Sequence, residues 1–396
     1  GGEAMLGEFI GKLHAEGHLL GLYCSGLAWT NTADTGDGDY AQVEELEAKG
    51  LLREMCRGPK DEYECLICNG EGIRLGYDMC AASDFAREVV AEEARKIAAS
   101  GVDYIQLLDQ NLGGAAYQCH DRRHGHPPGP GPWQAEAMRG LLDHVEAKWK
   151  ETDTAPVPLG CEAAAAEAFV DRLPINDLRY QMGYNMGKPV PAYAYVFHPY
   201  AANFMGNQVE VLEWVDREKS PHNLRQRLAY SFVAGDLLTV VLADGGQIHW
   251  SWCTRWSVPK PEQAPHLRLV RVFNQWRRGA AKPYLLHGRM RKPFPVEGTE
   301  PVPMHLRMDA VIEYPSVLSS RWVAPDGTEA QVLANYLPEP AEPRLRVPEG
   351  TGYRILLDPN ADPSEVEPAT AGSEGIVVAL PPESAALVLF ETTLGT

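Results

Sequence analysis

The chain has 396 residues, 44% apolar and 23% charged, enough for one large domain and a smaller one around an ordinary globular core. Its 36 Lys and Arg against 54 Asp and Glu leave a formal charge of −18. That balance argues against nucleic acid as a partner, since affinity for a phosphate backbone comes from clustered Lys and Arg. No apolar run reaches the ~18–20 residues that a membrane-spanning helix needs. No signal peptide is visible at the start, Gly1-Gly-Glu-Ala-Met-Leu6. Eight cysteines are too few for a disulfide scaffold, which leaves the compartment open.

Residues 4–17 read as an amphipathic helix and Leu19–Trp29 as a buried strand. Residues 31–82 form a long excursion with Gly, Asp and four cysteines. A helical pattern over 84–100 leads into the strand Val102–Asp109, which ends on a carboxylate before a loop rich in Gly, Pro and His at 111–132. Trp133–Thr152 is helical by the spacing of Met138, Leu141, Leu142 and Val145. Residues 156–161 make the next strand, followed by Glu162 and a short helix near 163–173. Leu178–Met182 and Val190–His198 are further strand-like runs; helical pattern covers about 208–234 and 262–279, with a strand at 236–242 between them.

Strands alternating with helices indicate a parallel α/β domain. The expected fold is a (β/α)₈ TIM-like barrel over residues 1–295. About five or six βα units can be counted, fewer than the eight that close a barrel. The reading therefore expects N-terminal units to be missing from the chain or supplied by a companion chain, with a homo-oligomer as a further alternative. A doubly wound sheet is the rival architecture, without a Gly-x-Gly-x-x-Gly fingerprint to support it. From about residue 300 short alternating runs separated by turns such as Pro325-Asp-Gly327 predict a C-terminal antiparallel β-sandwich over 300–396.

Asp109 and Glu162 each end a strand, where the loops of a barrel converge. Two acids so placed suggest paired-carboxylate chemistry, of which glycoside hydrolysis is the commonest use: one carboxyl protonates the leaving oxygen, the other attacks or activates water. Asp109 is the nucleophile or base and Glu162 the general acid, with Glu167 as a less favoured partner or substrate ligand. The bland alternatives are that Asp109 caps a turn or pairs with an arginine, and that Glu167 is a solvated helix residue.

Five motifs occur in order: Gly21-Leu-Tyr-Cys-Ser-Gly-Leu-Ala-Trp29, Met79-Cys-Ala-Ala-Ser83, Gly101-Val-Asp-Tyr with Leu108-Asp-Gln110, His124-Gly-His-Pro-Pro-Gly129, and Gly160-Cys-Glu162 with Glu167. Together they resemble a family of glycoside-hydrolase-like barrels of unknown function, over residues 1 to about 290. That family is distantly similar to the α-galactosidase clan. The resemblance implies a barrel with a C-terminal sandwich, a carbohydrate substrate and, at the position of Asp109, the nucleophile that ends strand 4. The clan's acid on strand 6 has no counterpart, because the equivalent run ends in His198-Pro-Tyr200. This departure favours Glu162 as the acid.

The loop after Asp109 holds Cys119, His120, His124 and His126. It reads as a substrate-binding loop, since His hydrogen-bonds sugar hydroxyls; a metal site, and with it a metal-dependent hydrolase, is the alternative. Cys56, Cys65, Cys68 and Cys80 form a separate set that fits a structural zinc, disulfides or free thiols. No organic cofactor is implied. Trp29, His198, Tyr200, Asp244 and Trp250 complete the candidate substrate ligands, aromatic faces being suited to sugar rings; core packing is the competing role for each. Asp236 reads as a turn or cap residue. A third functional class, a carbohydrate-binding or assembly subunit that keeps the barrel without the chemistry, stays open.

Overall fold

A computed structural model describes residues 2–24, 26–30, 47–63, 76–109, 111–113, 116–178, 190–204, 216, 218–243, 247–249, 263–306 and 309–391. Cys65, Cys68, Asp244 and Trp250 lie outside the described residues. The chain is mixed α/β and divides into two compact units, Gly1–Asp177 and Leu178–Thr396.

The first unit begins with helix α1 (Gly2–Ala15), strands β1 (Gly21–Cys24), β2 (Ala28–Thr30) and β3 (Gly76–Asp78). Helix α2 (Asp84–Ala99), strand β4 (Tyr104–Leu107), helix α3 (Trp133–Glu151) and strands β5 (Leu159–Gly160) and β6 (Ile175–Asp177) follow. β1, β4 and β5 pair in parallel, with Gly21 opposite Tyr104 and Gln106 opposite Gly160; a parallel bridge from Glu162 to Asp177 continues the order to β6. Strand, helix, parallel strand is the βα plan that the periodicity predicts, and its strands end on one edge.

The helices follow their sequence signals closely. Ser83 caps α2 by accepting a hydrogen bond from the Ala86 amide. Ala86, Val90, Ala91, Ala94 and Ala98 are its buried stripe, at helical spacing; α3 buries Ala137, Met138, Leu141, Leu142, Val145 and Trp149.

The predicted strand Leu19–Trp29 is two strands. Gly26 breaks it at φ +63°, and a Cβ there would meet the Leu108 Cα at 2.6 Å, so the turn tucks its backbone against the end of β4. β2 then pairs antiparallel with β3, placing Trp29 opposite Tyr77. β1 is also less buried than its apolar composition suggests, with Tyr23 41% exposed.

The second unit contains α4 (Ala192–Phe197), β7 (Ala202–Phe204), α5 (Asn223–Ala234), the antiparallel hairpin β8 (Val241–Ala243) with β9 (Gln247–His249), and α6 (Gln263–Arg278). α4 replaces the strand expected at 190–198. The alternating Ala-Tyr-Ala-Tyr run mimics a period of two, but Pro191 stands at the helix start, and within the helix only Ala194 is buried. Leu237 bridges Phe204 in parallel.

Antiparallel strands follow: β10 (Arg289–Arg291), β11 (Val296–Glu297), β12 (Val302–His305), β13 (Val311–Tyr314), β14 (Val317–Val323), β15 (Glu329–Asn335), β16 (Arg344–Leu345), β17 (Gly352–Leu356), β18 (Ala369–Thr370), β19 (Ile376–Val377) and β20 (Ser384–Phe390). One sheet runs β10-β14-β15-β20-β17-β18 and a smaller one β11-β16-β19. Val317, Leu333, Ala386 and Val388 of the large sheet share an apolar cluster with Leu345 and Ile376 of the small one. On the other face, Val332, Ala334 and Leu387 join Leu228 and Phe232 of α5 and Phe273 of α6; the rings of Phe232 and Phe273 stack at 4.6 Å. Covering on both faces explains why six of the seven residues of β15 are buried rather than alternating.

Asp236 belongs to the C-terminal cap of α5, its amide donating to the Ser231 carbonyl at 2.9 Å, and it is buried. It follows the C-cap Gly235 of α5 and is 1% exposed, and burial pushes its carboxyl up to about 7 against the pull of Arg227 and Arg277.

Candidate active site

Asp109 and Glu162 come together because their strands are neighbours. Asp109 lies two residues past the end of β4 and Glu162 two past β5, and the Glu162 amide donates to the Asp109 carbonyl at 2.9 Å. Both strand ends leave through left-handed backbone: Leu108 (φ 66°), Asp109 (φ 49°) and Ala163 (φ 65°). Each such non-glycine residue costs about 1–2 kcal/mol, so the surroundings must impose the geometry. They do: the Asn111 amide closes the turn on the Leu108 carbonyl at 2.9 Å, and the Ala166 amide reaches the Leu112 carbonyl at 2.8 Å. Gly113 lies so close to the second loop that a Cβ would meet the Glu162 carbonyl at 2.9 Å.

Glu162 is 4% exposed, and the buried Gln106 amide donates to its Oε2 at 3.5 Å. Asp177, ending β6, is 2% exposed and bridges Glu162 along the sheet edge. Burial, then the charges of Asp177 and Glu162, raise the Cys161 thiol well above its usual range. Tyr117, from the loop after Asp109, is raised likewise, first by burial and then by Asp78 and Asp109, while a hydrogen bond from Asn111 works the other way. Tyr117 therefore stays a neutral phenol able to donate. The edge thus carries three acids (Asp109, Glu162 and Asp177), with Gln106 bonded to Glu162, while Tyr117 feels both Asp109 and Asp78 of the β2–β3 pair.

Asp78 and Asp177 escape a reading by periodicity, because β3 and β6 have only three residues each.

The other sequence candidates are scattered. Trp29 is half-buried and packs on Phe85 at 5.5 Å. Glu167 is exposed and opens a 3₁₀ turn, Glu167–Phe169, whose Phe169 is buried. His198 is buried, its two ring nitrogens 3.1 and 3.0 Å from the Gly288 and Leu285 carbonyls and its ring edge-on to Trp322. Those contacts make it a packing residue instead of a sugar ligand. Tyr200 is 69% exposed in a turn. His120 is half-buried beside Gly129, 3.1 Å from where a Cβ on that glycine would sit.

His124 and His126 each face a cysteine. His124 Nδ1 lies 3.3 Å from Cys119 Sγ, and His126 Nε2 lies 3.3 Å from Cys80 Sγ. Cys56 packs with Cys80 and Cys119 in one buried cluster against Tyr117 and Trp133. Among the described residues Cys24, Cys56, Cys80, Cys119 and Cys161 are free thiols. Of the Cys56–Cys65–Cys68–Cys80 set, the two described members, Cys56 and Cys80, sit together, and Cys119 of the loop after Asp109 joins them.

The family model described as "Domain of unknown function (DUF6259)" matches residues 1–207 of the 396, just over half of the chain. The chain belongs to this family. The DUF6259 match takes in the acidic edge and the thiol cluster alike. No curated protein matches. Among solved structures, an α-amylase from Geobacillus thermoleovorans complexed with acarbose is similar with a TM-score of 0.54 at 12% identity, covering 99% of this chain and 82% of its own. An α-amylase from H. orenii gives 0.53 at 11%, covering 98% and 84%. A GH27 β-L-arabinopyranosidase from Geobacillus stearothermophilus gives 0.47 at 10%, covering 100% and 79%. At such identities the α-amylase likeness is one of fold alone. No helix among the described residues is long and apolar enough to cross a membrane.

Proposed function

We propose that this DUF6259 chain is a glycoside hydrolase that cleaves an O-glycosidic bond, with Asp109 as nucleophile or base and Glu162 as general acid. The reading takes residues 1–295 as a TIM-like barrel domain and 300–396 as a C-terminal β-sandwich. The observation that carries it is the placement of Asp109 and Glu162 at the same ends of adjacent parallel strands, tied by the 2.9 Å Glu162–Asp109 backbone hydrogen bond. Left-handed backbone at Asp109 itself and at Ala163, the residue after Glu162, adds support, because strain of this kind concentrates where a side chain has to be aimed.

The roles divide by surroundings. A general acid needs burial and neighbouring carboxylates to hold its proton near neutral pH. Glu162 is the more enclosed of the two, 4% exposed, with its backbone bridged to that of Asp177. Asp109 is half-buried and follows the apolar Leu107-Leu108. As it develops positive charge, the anomeric carbon would face Asp109 while Glu162 delivers its proton to the departing oxygen. Tyr117 and Asn111 would donate to sugar hydroxyls or to Asp109, and Trp29 offers an aromatic face.

The test is a panel of nitrophenyl α- and β-glycosides and natural oligosaccharides incubated with the purified chain, with released sugar measured by chromatography. Release from at least one member is expected. Sugar binding by calorimetry with no release anywhere on the panel would replace this reading with a non-catalytic binding subunit.

A further inference from the structure

Cys80 follows β3, while Cys119, His124 and His126 belong to the loop after Asp109; the ligand atoms of all four lie within 4.8 Å of one another. Three observations set this cluster apart from thiols that merely share a core. First, the spacing fits a metal. Bonds of about 2.3 Å to sulfur and 2.0–2.1 Å to nitrogen put the corners of a tetrahedron roughly 3.3–3.8 Å apart. Both Cys–His pairs sit at 3.3 Å.

Second, each imidazole is oriented from behind. His124 turns Nδ1 to Cys119 while its Nε2 meets the Arg53 carbonyl at 2.6 Å. His126 does the reverse, with Nε2 on Cys80 and Nδ1 on the Pro127 carbonyl at 2.8 Å. A carbonyl behind each ring places the proton on the outer nitrogen and leaves the inner lone pair toward the cysteines, the arrangement of metal-binding histidines.

Third, the donors are held rigidly. The Cys80 amide donates to the Glu54 carbonyl (3.1 Å) and the Gly129 amide to the Cys119 carbonyl (2.8 Å). Asp121 caps the 3₁₀ turn that carries His124 and is clamped by Arg123. The His126 ring stacks on Trp133 at 3.6 Å and 6°.

We infer that Cys80, Cys119, His124 and His126 form a tetrahedral site for a zinc-like divalent cation. Four protein donors fill the coordination sphere and leave no position for water, so the ion is structural. It clips the end of the 47–80 segment to the loop after β4. That loop carries Tyr117, which touches the cysteines on one side and feels the charge of Asp109 on the other. Binding the ion would therefore set one wall of the acidic edge without entering its chemistry. Cys56 is a neighbouring thiol outside the ligand set.

The inference is independent of the glycosidase reading, and the experiment does not need a substrate. Chains expressed with zinc are analysed for metal by mass spectrometry, and apo chains are titrated with Co²⁺. The expected result is one zinc per chain. Co²⁺ should give the intense visible bands of tetrahedral geometry with thiolate charge-transfer absorption. Cys56→Ser should keep the metal, while Cys119→Ser and His126→Ala should each weaken binding by about 10-fold or more. No metal as purified together with no Co²⁺ spectrum would overturn the site, as would a disulfide consuming Cys80 and Cys119. Metal lost in Cys56→Ser but kept in His126→Ala would overturn the ligand set. Because the Co²⁺ spectrum is read on the unmodified chain, a variant that fails to fold does not decide the matter.

Discussion

Glu162→Gln is expected to slow release of a sugar leaving group by about 10³-fold, within the range that general acid catalysis supplies. The same variant should hydrolyse a dinitrophenyl glycoside within about 10-fold of the parent rate, because that phenolate departs without a proton. The contrast separates a proton donor from a residue that only shapes the site, whose loss would slow both substrates alike. Gln keeps the size of the Glu162 side chain, and the Gln106 amide at 3.5 Å can still reach its oxygen, so the strand end should persist. Initial rates on both substrate types decide the point. Equal slowing would remove Glu162 from the acid role. A leaving-group contrast in Asp109→Asn instead would reverse the two assignments.

The second large effect concerns stability. A Cβ on Gly160 would lie 1.6 Å from the Ile175 carbonyl oxygen and 2.6 Å from the Tyr104 hydroxyl. The first obstacle is backbone of the neighbouring strand and cannot swing aside. Overpacking usually costs 1–3 kcal/mol, and a backbone collision belongs at or above the top of that range. Gly160→Ala should therefore destabilise the fold by at least about 3 kcal/mol, or fail to accumulate as folded protein. Gly140 in α3 is the control: the nearest atom to a Cβ there is an Arg87 nitrogen at 3.7 Å. Gly140→Ala should stabilise by up to about 1 kcal/mol, as expected for a helix interior. Denaturant unfolding of both variants checks the pair. Equal midpoints would mean that β5 and β6 do not approach as closely as described.

These effects mark what the sequence could and could not reveal. α2, α3 and the ends of β4 and β5 were legible because each is written locally, as a helical stripe, a Ser83 cap or an apolar run closed by an acid. The pairing of Asp109 with Glu162 was legible for the same reason, since consecutive βα units place consecutive strand ends side by side. The proposed metal cluster was legible only in part. Cys119, His124 and His126 stand close enough in one loop to suggest a metal site, but Cys80 lies 39 positions earlier, in no fixed zinc signature, and groups by sequence with Cys65-Leu-Ile-Cys68 instead. Only folding the 111–132 loop back onto β3 brings Cys80 to His126.

The errors have similar causes. A short aromatic run supports two periods, so the sequence of α4 fits a strand as well as a helix, and Pro191 at its start with its surroundings selects the helix. His198 stood at an apparent strand end, yet it packs against Trp322.

The account rests most directly on Asp109. Sugar release should be measured for the parent chain and Asp109→Asn side by side, with melting temperatures matched. The account predicts release by the parent and a loss of about 10³-fold or more in the variant. Parent-level release by a folded Asp109→Asn chain would contradict it.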